Sequence, residues 1–218
     1  MDTTSPSAKF RDRLMEALPA RAAEKGWTEA ALRAAAADAG LTDGEARLAL
    51  PAGINDAIDV FADRADLAML AALAEADLTS LKVRARVTLA VRERILAQAP
   101  HKEAARRLTY ALALPMRAGT GPRLIWRTAD RIWRALDDPS TDFNFYSKRA
   151  ILSGVLASVY ARWFSDQDPT HSETFAFLDD RIQNVMEFEK LKAKASPILS
   201  GLGGWASWAG QRRYGPGD

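Results

Sequence analysis

Residues 140–163 contain no proline, and their one glycine is Gly154. The stretch opens on Ser140, Thr141 and Asp142, residue types that suit a helix N-cap. Ile151, Val155 and Val159 then recur every four residues, with Phe143, Tyr146 and Ala150 continuing the stripe backwards and Leu152, Leu156 and Tyr160 forming a second row beside it. A helix apolar over more than one face is buried or held between two partners, so this one is expected to be a core helix or a dimer helix. Gly154 costs roughly 1 kcal/mol in a helix interior and leaves room for a neighbour or a ligand to approach.

The rest of the chain follows the same period. Prolines at 51, 100, 115, 122, 139, 169 and 197 separate alanine- and leucine-rich runs, and no run alternates strictly with β-branched enrichment. The expected fold class is all-α. A first helix over 7–25 carries Phe10, Leu14, Ala17, Leu18 and Ala22 inward. Gly26 then fits a left-handed C′ position, with Trp27 packing beneath the next helix. A second helix spans 28–39. A third starts at Thr42, whose spacing to Glu45 is that of a capping box, and ends before Pro51. Helices over 55–76, 79–99, 101–114, 122–136 and 170–194 complete the count, with residues 116–122 read as a loop. In the fifth, Val83, Val87, Val91 and Ile95 face inward, and Arg84, Arg86, Arg92 and Arg94 form a solvated face balanced by Glu93.

The three short N-terminal helices look like a helix-turn-helix module. Residues 36–44 are similar to the turn of TetR repressors, which implies a TetR-like fold. The reading helix offers Asp43, Glu45 and Arg47 where phosphate-binding side chains are needed, and two carboxylates repel a phosphate backbone. DNA is therefore not expected as a partner.

Catalytic chemistry is hard to place on this chain. There are no cysteines and two histidines, His101 and His171, which removes thiolate nucleophiles and thiolate metal sites. No phosphate-binding glycine loop, zinc-protease motif or nucleophile elbow occurs. Asp168-Pro169-Thr170-His171 reads as helix capping, and the pairs Asp137-Asp138 and Asp179-Asp180 point to different sides of a helix. No enzyme activity, metal or cofactor is expected. The net charge of +2 is too weak to argue for nucleic acid by itself.

Ser140-Thr141-Asp142-Phe143-Asn144-Phe145-Tyr146 with Arg149-Ala150, Asp130-Arg131-Ile132-Trp133 upstream and residues 174–181 with Val185-Met186 downstream resemble the ubiquinone-biosynthesis accessory proteins numbered nine in the Coq series. Gly26-Trp27-Thr28 extends the resemblance towards the start. It implies a TetR-like protein that binds isoprenoid lipid without catalysing a reaction. It also implies that the chain presents a quinone precursor to a demethoxyubiquinone-type hydroxylase or an equivalent. The expected organisation is a vestigial helix-turn-helix module at 7–51, a lipid-binding helical domain at 52–194 and an amphipathic tail at 195–218, in a homodimer. A TetR-type regulator with a lipophilic effector and a plain scaffold remain alternatives.

Candidate residues follow from these readings. The lipid wall is assigned to Leu112, Trp126, Trp133, Ile151, Val155 and Trp163. The resemblance carries a partner patch onto Ile132, Asp142, Phe145 and Tyr146; at 100° per residue, Phe143 and Tyr146 pointing inward leave Phe145 outside. In the tail, Ile198, Leu202 and Trp205 fall on one side of a helix drawn over 197–211, and with Trp208 they suit a helix lying on a membrane surface. The first residues lack an apolar signal core, and the expected location is cytoplasmic, peripheral on a bacterial-type inner membrane.

Overall fold

The computed structural model describes residues 5–187, apart from the side chains at 142 and 143. Nine α-helices account for most of it: α1 (Pro6–Lys25), α2 (Glu29–Asp38), α3 (Asp43–Ala49), α4 (Ile54–Glu75), α5 (Val83–Leu96), α6 (Lys102–Leu112), α7 (Thr120–Ala135), α8 (Asp142–Ser165) and α9 (172–187). There is no strand among the described residues, so the all-α expectation holds. The expected tail helix, with Ile198, Leu202, Trp205 and Trp208, lies outside the described residues.

The first three helices begin where their caps say they should. Ser5 Oγ accepts the Ala8 N–H at 3.2 Å ahead of Pro6, and Thr28 Oγ1 accepts the Ala31 N–H at 3.1 Å. Thr42 and Glu45 close the capping box in both directions, at 3.3 and 2.8 Å. Gly26 and Gly40, at φ +71° and +62°, take the backbone out of α1 and α2, a conformation that costs glycine little. α1 packs across α2 and α3 through Leu14, Leu18, Ala31, Leu32 and Ala35.

Trp27 does more than fill the space beneath α2. Its ring lies 4.8 Å from that of Phe61 on α4, and its Nε1 donates to the Ala104 carbonyl of α6 at 2.9 Å. The N-terminal three-helix unit is thereby tied to the helices that follow.

Three boundaries differ from the sequence reading for local reasons. α5 starts at Val83, later than expected, because the Asp77 carboxylate holds the Thr79 N–H at 3.0 Å and its hydroxyl at 2.6 Å in a turn. Val83 itself is exposed. α7 starts at Thr120, ahead of Pro122, since a proline in the first turn forfeits no intrahelical bond. Residues 115–117 form a 3₁₀ turn inside the expected loop. At the start of α8, Thr141 is the N-cap but makes no side-chain cap bond. Ser140 donates instead to Asp138 Oδ1 at 2.8 Å.

Helix α8 runs through the middle of the C-terminal region, with Leu152, Val155, Leu156, Val159 and Trp163 buried. Ala150 and Tyr146, expected on the inner stripe, are exposed. A Cβ added at Gly154 would meet nothing within 4 Å, so no described element of the same chain makes the close approach there. The turn into α9 is a capping arrangement, as expected for Asp168. Its carboxylate accepts the Thr170 and Ser172 N–H groups at 2.9 and 3.1 Å. Asp166 accepts the Thr174 N–H at 2.9 Å and its hydroxyl at 2.6 Å.

Candidate functional site

A cleft of about 380 Å³ opens between α5, α6, α7 and α8. This is within the roughly 300–1,000 Å³ typical of small-molecule sites. Its walls are apolar: Leu108 and Leu112 from α6, Leu124 and Ile125 from α7, Leu156 and Phe164 from α8. Ala157 and Ala161 lie at exposed positions on α8, where their small side chains border the opening.

One end of the cleft is polar. Arg94 from α5, Gln98 just beyond it, Thr128 from α7 and Tyr160 from α8 all line it. Arg94 is 4 % exposed, and its Nε donates to Asp66 Oδ1 at 2.6 Å, with Asp66 itself 0 % exposed on α4. The same carboxylate accepts the Thr128 hydroxyl at 2.8 Å and Arg131 Nη1 at 3.0 Å, while Arg127 Nε lies 3.6 Å away. Tyr160 donates to Gln98 Oε1 at 2.7 Å, and desolvation raises the phenol's pKa, so it stays a neutral donor. Arg94 Nη1 is buried without a hydrogen-bond partner, at a cost of about 1–3 kcal/mol for such a group.

This cluster overturns part of the sequence reading. Arg94 belongs to the core and not to a solvated face. The signal was present in the spacing: Val87, Val91 and Arg94 stand at i, i+4 and i+7. Asp66 stands on the α4 row of Ile58, Ala62 and Met69, all buried. A carboxylate on one apolar row and a guanidinium on another are the trace a buried pair leaves in sequence.

A second groove of about 320 Å³ lies between α5, α8 and α9 and reaches Trp133. The structure distributes the six expected lipid-wall residues over these places. Leu112 lines the first cleft. Trp133, Ile151 and Val155 line the second groove. Trp163 is 0 % exposed in the core, edge-on to Tyr160 and His171. Trp126 stacks on Tyr146 with ring centroids 6.4 Å apart. The six therefore do not converge on one cavity.

The geometry expected of the partner patch also changes. Ile132 is 0 % exposed, facing inward from α7, and cannot contribute to a surface. Tyr146 is 63 % exposed, whereas Phe145 is half-buried, so the orientation expected from helical spacing is reversed. The cause is Arg149. It is 2 % exposed, donates to Asp130 Oδ1 at 2.6 Å and to the Phe145 carbonyl at 3.1 Å, and lies 3.4 Å over the Phe145 ring. Burial pushes the Asp130 carboxyl up, but hydrogen bonds from Arg149 and Arg134 outweigh it and lower its pKa. The Asp142 side chain is outside the described set. Among the described residues, no group of three or more histidines and carboxylates could hold a metal ion, and no helix is long and apolar enough to cross a membrane.

Nine packed helices among the described residues, an N-terminal three-helix unit with a capped turn and an apolar cleft among the later helices give a TetR-like fold. A solved TetR transcriptional regulator from Nitrosomonas europaea superposes with a TM-score of 0.67, covering 80% of this chain and 97% of that one at 18% identity, and shows the fold alone. The COQ9 family model matches residues 118–189, the span that holds α7, α8 and α9. The ubiquinone biosynthesis protein COQ9 of Rattus norvegicus is 31% identical over 121 residues, 54% of this chain and 39% of that protein. The Homo sapiens protein of the same name is 28% identical over 121 residues, 54% of this chain and 38% of that protein. A probable coq9 protein of Dictyostelium discoideum is 36% identical over 63 residues, 29% of this chain and 20% of its own length. This chain thus spans about two fifths of the length of the vertebrate relatives it matches. All three relatives are named as mitochondrial. That overturns the expectation of a cytoplasmic protein on a bacterial-type inner membrane.

Proposed function

We propose that the chain is a non-catalytic accessory protein of ubiquinone biosynthesis, which holds an apolar-tailed isoprenoid quinone precursor and presents it to a membrane-associated hydroxylase. The observation that carries this reading is the α5–α8 cleft, apolar along its walls and polar at one end. Two of its four walls, α7 and α8, fall within the residues that match the COQ9 model. Burying each methylene of a tail contributes roughly 0.8 kcal/mol, so such a cleft favours a long apolar chain over a small polar ligand.

The partner surface of this reading centres on exposed Tyr146 with Trp126 stacked beside it, in place of the patch that included Ile132. An exposed aromatic braced by a half-buried one is a common interface anchor. The homodimer, the membrane-facing tail with Trp205 and Trp208, and the absence of DNA binding belong to the same reading.

Native mass spectrometry of protein purified in mild detergent tests it. The expected result is a bound polyisoprenoid or other single lipid, lost in a variant with Ala157→Trp at the cleft opening. Lipid-free protein that takes up no added lipid would remove the case for a carrier.

A further inference from the structure

Resting on the cleft as the lipid site, we infer that its polar end is a head-group site. It selects ligands whose head offers an acceptor oxygen, an anionic one most of all, and Arg94 Nη1 is the donor. Three observations meet here. The first is hydrogen-bond supply. Thr128 has given its hydroxyl proton to Asp66, and Tyr160 has given its own to Gln98. Arg94 Nε is committed to Asp66 and Nη2 to the Ala62 carbonyl at 3.3 Å. Nη1 retains N–H groups with no acceptor in reach, on a side chain that lines the cleft.

The second is charge. Arg131 has Asp63 at 2.6 Å besides Asp66, and Arg127 has Asp59 at 3.8 Å. Arg94 has Asp66 alone among the described residues, and shares it with those two guanidinium groups. With Arg123 also on Asp59, four guanidinium groups share the three carboxylates Asp59, Asp63 and Asp66, which leaves one positive charge in excess in the cluster beneath the cleft. A guanidinium held in an apolar surround binds a negative oxygen by a short, charge-assisted hydrogen bond.

The third is polarity along the cleft. The donor stands at one end, and apolar side chains of α6, α7 and α8 line the rest apart from Thr109, whose hydroxyl donates to the Arg106 carbonyl at 2.7 Å. A ligand with one oxygen-bearing head and a single greasy tail matches that order. A ligand with a cationic head would meet Arg94 with like charge.

The test uses equal-length single-chain probes with different heads, hexadecanoate, hexadecanol and hexadecylamine, displacing a fluorescent apolar dye from the full chain below their micelle concentrations. Hexadecanoate is expected to bind about tenfold or more tighter than hexadecanol, a difference worth one step of 1.4 kcal/mol, and hexadecylamine weakest. Arg94→Met should bring the three together while Ala157→Trp weakens all of them. If Arg94→Met does not fold, the ranking on the unaltered chain decides alone. Equal affinities for all three, with Ala157→Trp still blocking, would overturn the head-group site and leave the lipid cleft standing. No displacement by any probe would overturn both.

Discussion

The N-terminal unit, α1 to α3, and the cleft region, α4 to α8, put their polar residues to opposite uses. In the first, the polar side chains work at helix ends and on the outside. Thr28 and Thr42 cap, Glu45 reaches back to Thr42, and Arg21 meets Asp38 at 2.6 Å on the surface. None of the buried polar or charged residues among those described falls within it. In the second, Asp66, Arg94, Gln98, Thr128 and Arg149 lie inside. A protein interior excludes charge unless it is paired, and a pair there adds little over an apolar filling of the same shape. Polar groups that cost this much without a stability return point to a role in what the region binds.

Removing one member of the buried set should give the largest effect. Asp66→Ala leaves Arg94 inside without its carboxylate, and urea denaturation should show a loss of about 3–5 kcal/mol. The matching change in the N-terminal unit, Asp38→Ala, should leave the midpoint almost where it was, because that pair is exposed. Similar losses from both would erase the contrast between the two regions.

Trp27→Phe keeps most of the ring but removes the bond to Ala104. A loss of about 1–3 kcal/mol is expected, with circular dichroism and tryptophan fluorescence still melting together. Separate transitions would mean that the two regions hold together weakly.

Thr42→Ala removes the cap of α3, at about 1 kcal/mol, read as a small drop in melting temperature. It tests whether capping, and not buried pairing, is what holds the N-terminal unit.

The smallest expected effect is acid sensitivity near α8. Burial pushes the Asp130 and Asp138 carboxyls up, but hydrogen bonds from Arg149 and Lys148 prevail, and both folded-state pKa values fall below the ordinary one. Their contribution is therefore complete above the unfolded pKa of about 4 and is lost as pH falls through the folded values. Urea midpoints measured from pH 6 to 3 should decline, and less so in Asp138→Asn. An unchanged slope in that variant would assign the acid loss elsewhere.

The same contrast explains what could be read from sequence. Capping is local: Thr42 and Glu45 stand three residues apart, so the pattern itself names the bond. Helix period likewise placed Leu14, Leu18, Ile58 and Val91 inside, where they are. The cleft needed partners far apart in the chain. Asp66 and Arg94 are separated by 28 residues, and nothing in either neighbourhood specifies the other. Tyr146 and Phe145 show a further limit. Helical angle gives the separation of two side chains but not the absolute rotation of the helix, which the bond from Arg149 on α8 to Asp130 on α7 decides.

Trp27 has one more consequence. With its indole joined to α6 and set against Phe61, the unit of α1 to α3 is a cover over the starts of α4 and α6. A protease cut near Pro51 would not release two pieces that each stand alone, since the longer fragment would keep Phe61 and α6 with their cover gone. Whatever α3 touches, the chain has a reason to retain these helices in the cover they give Phe61 and the start of α6.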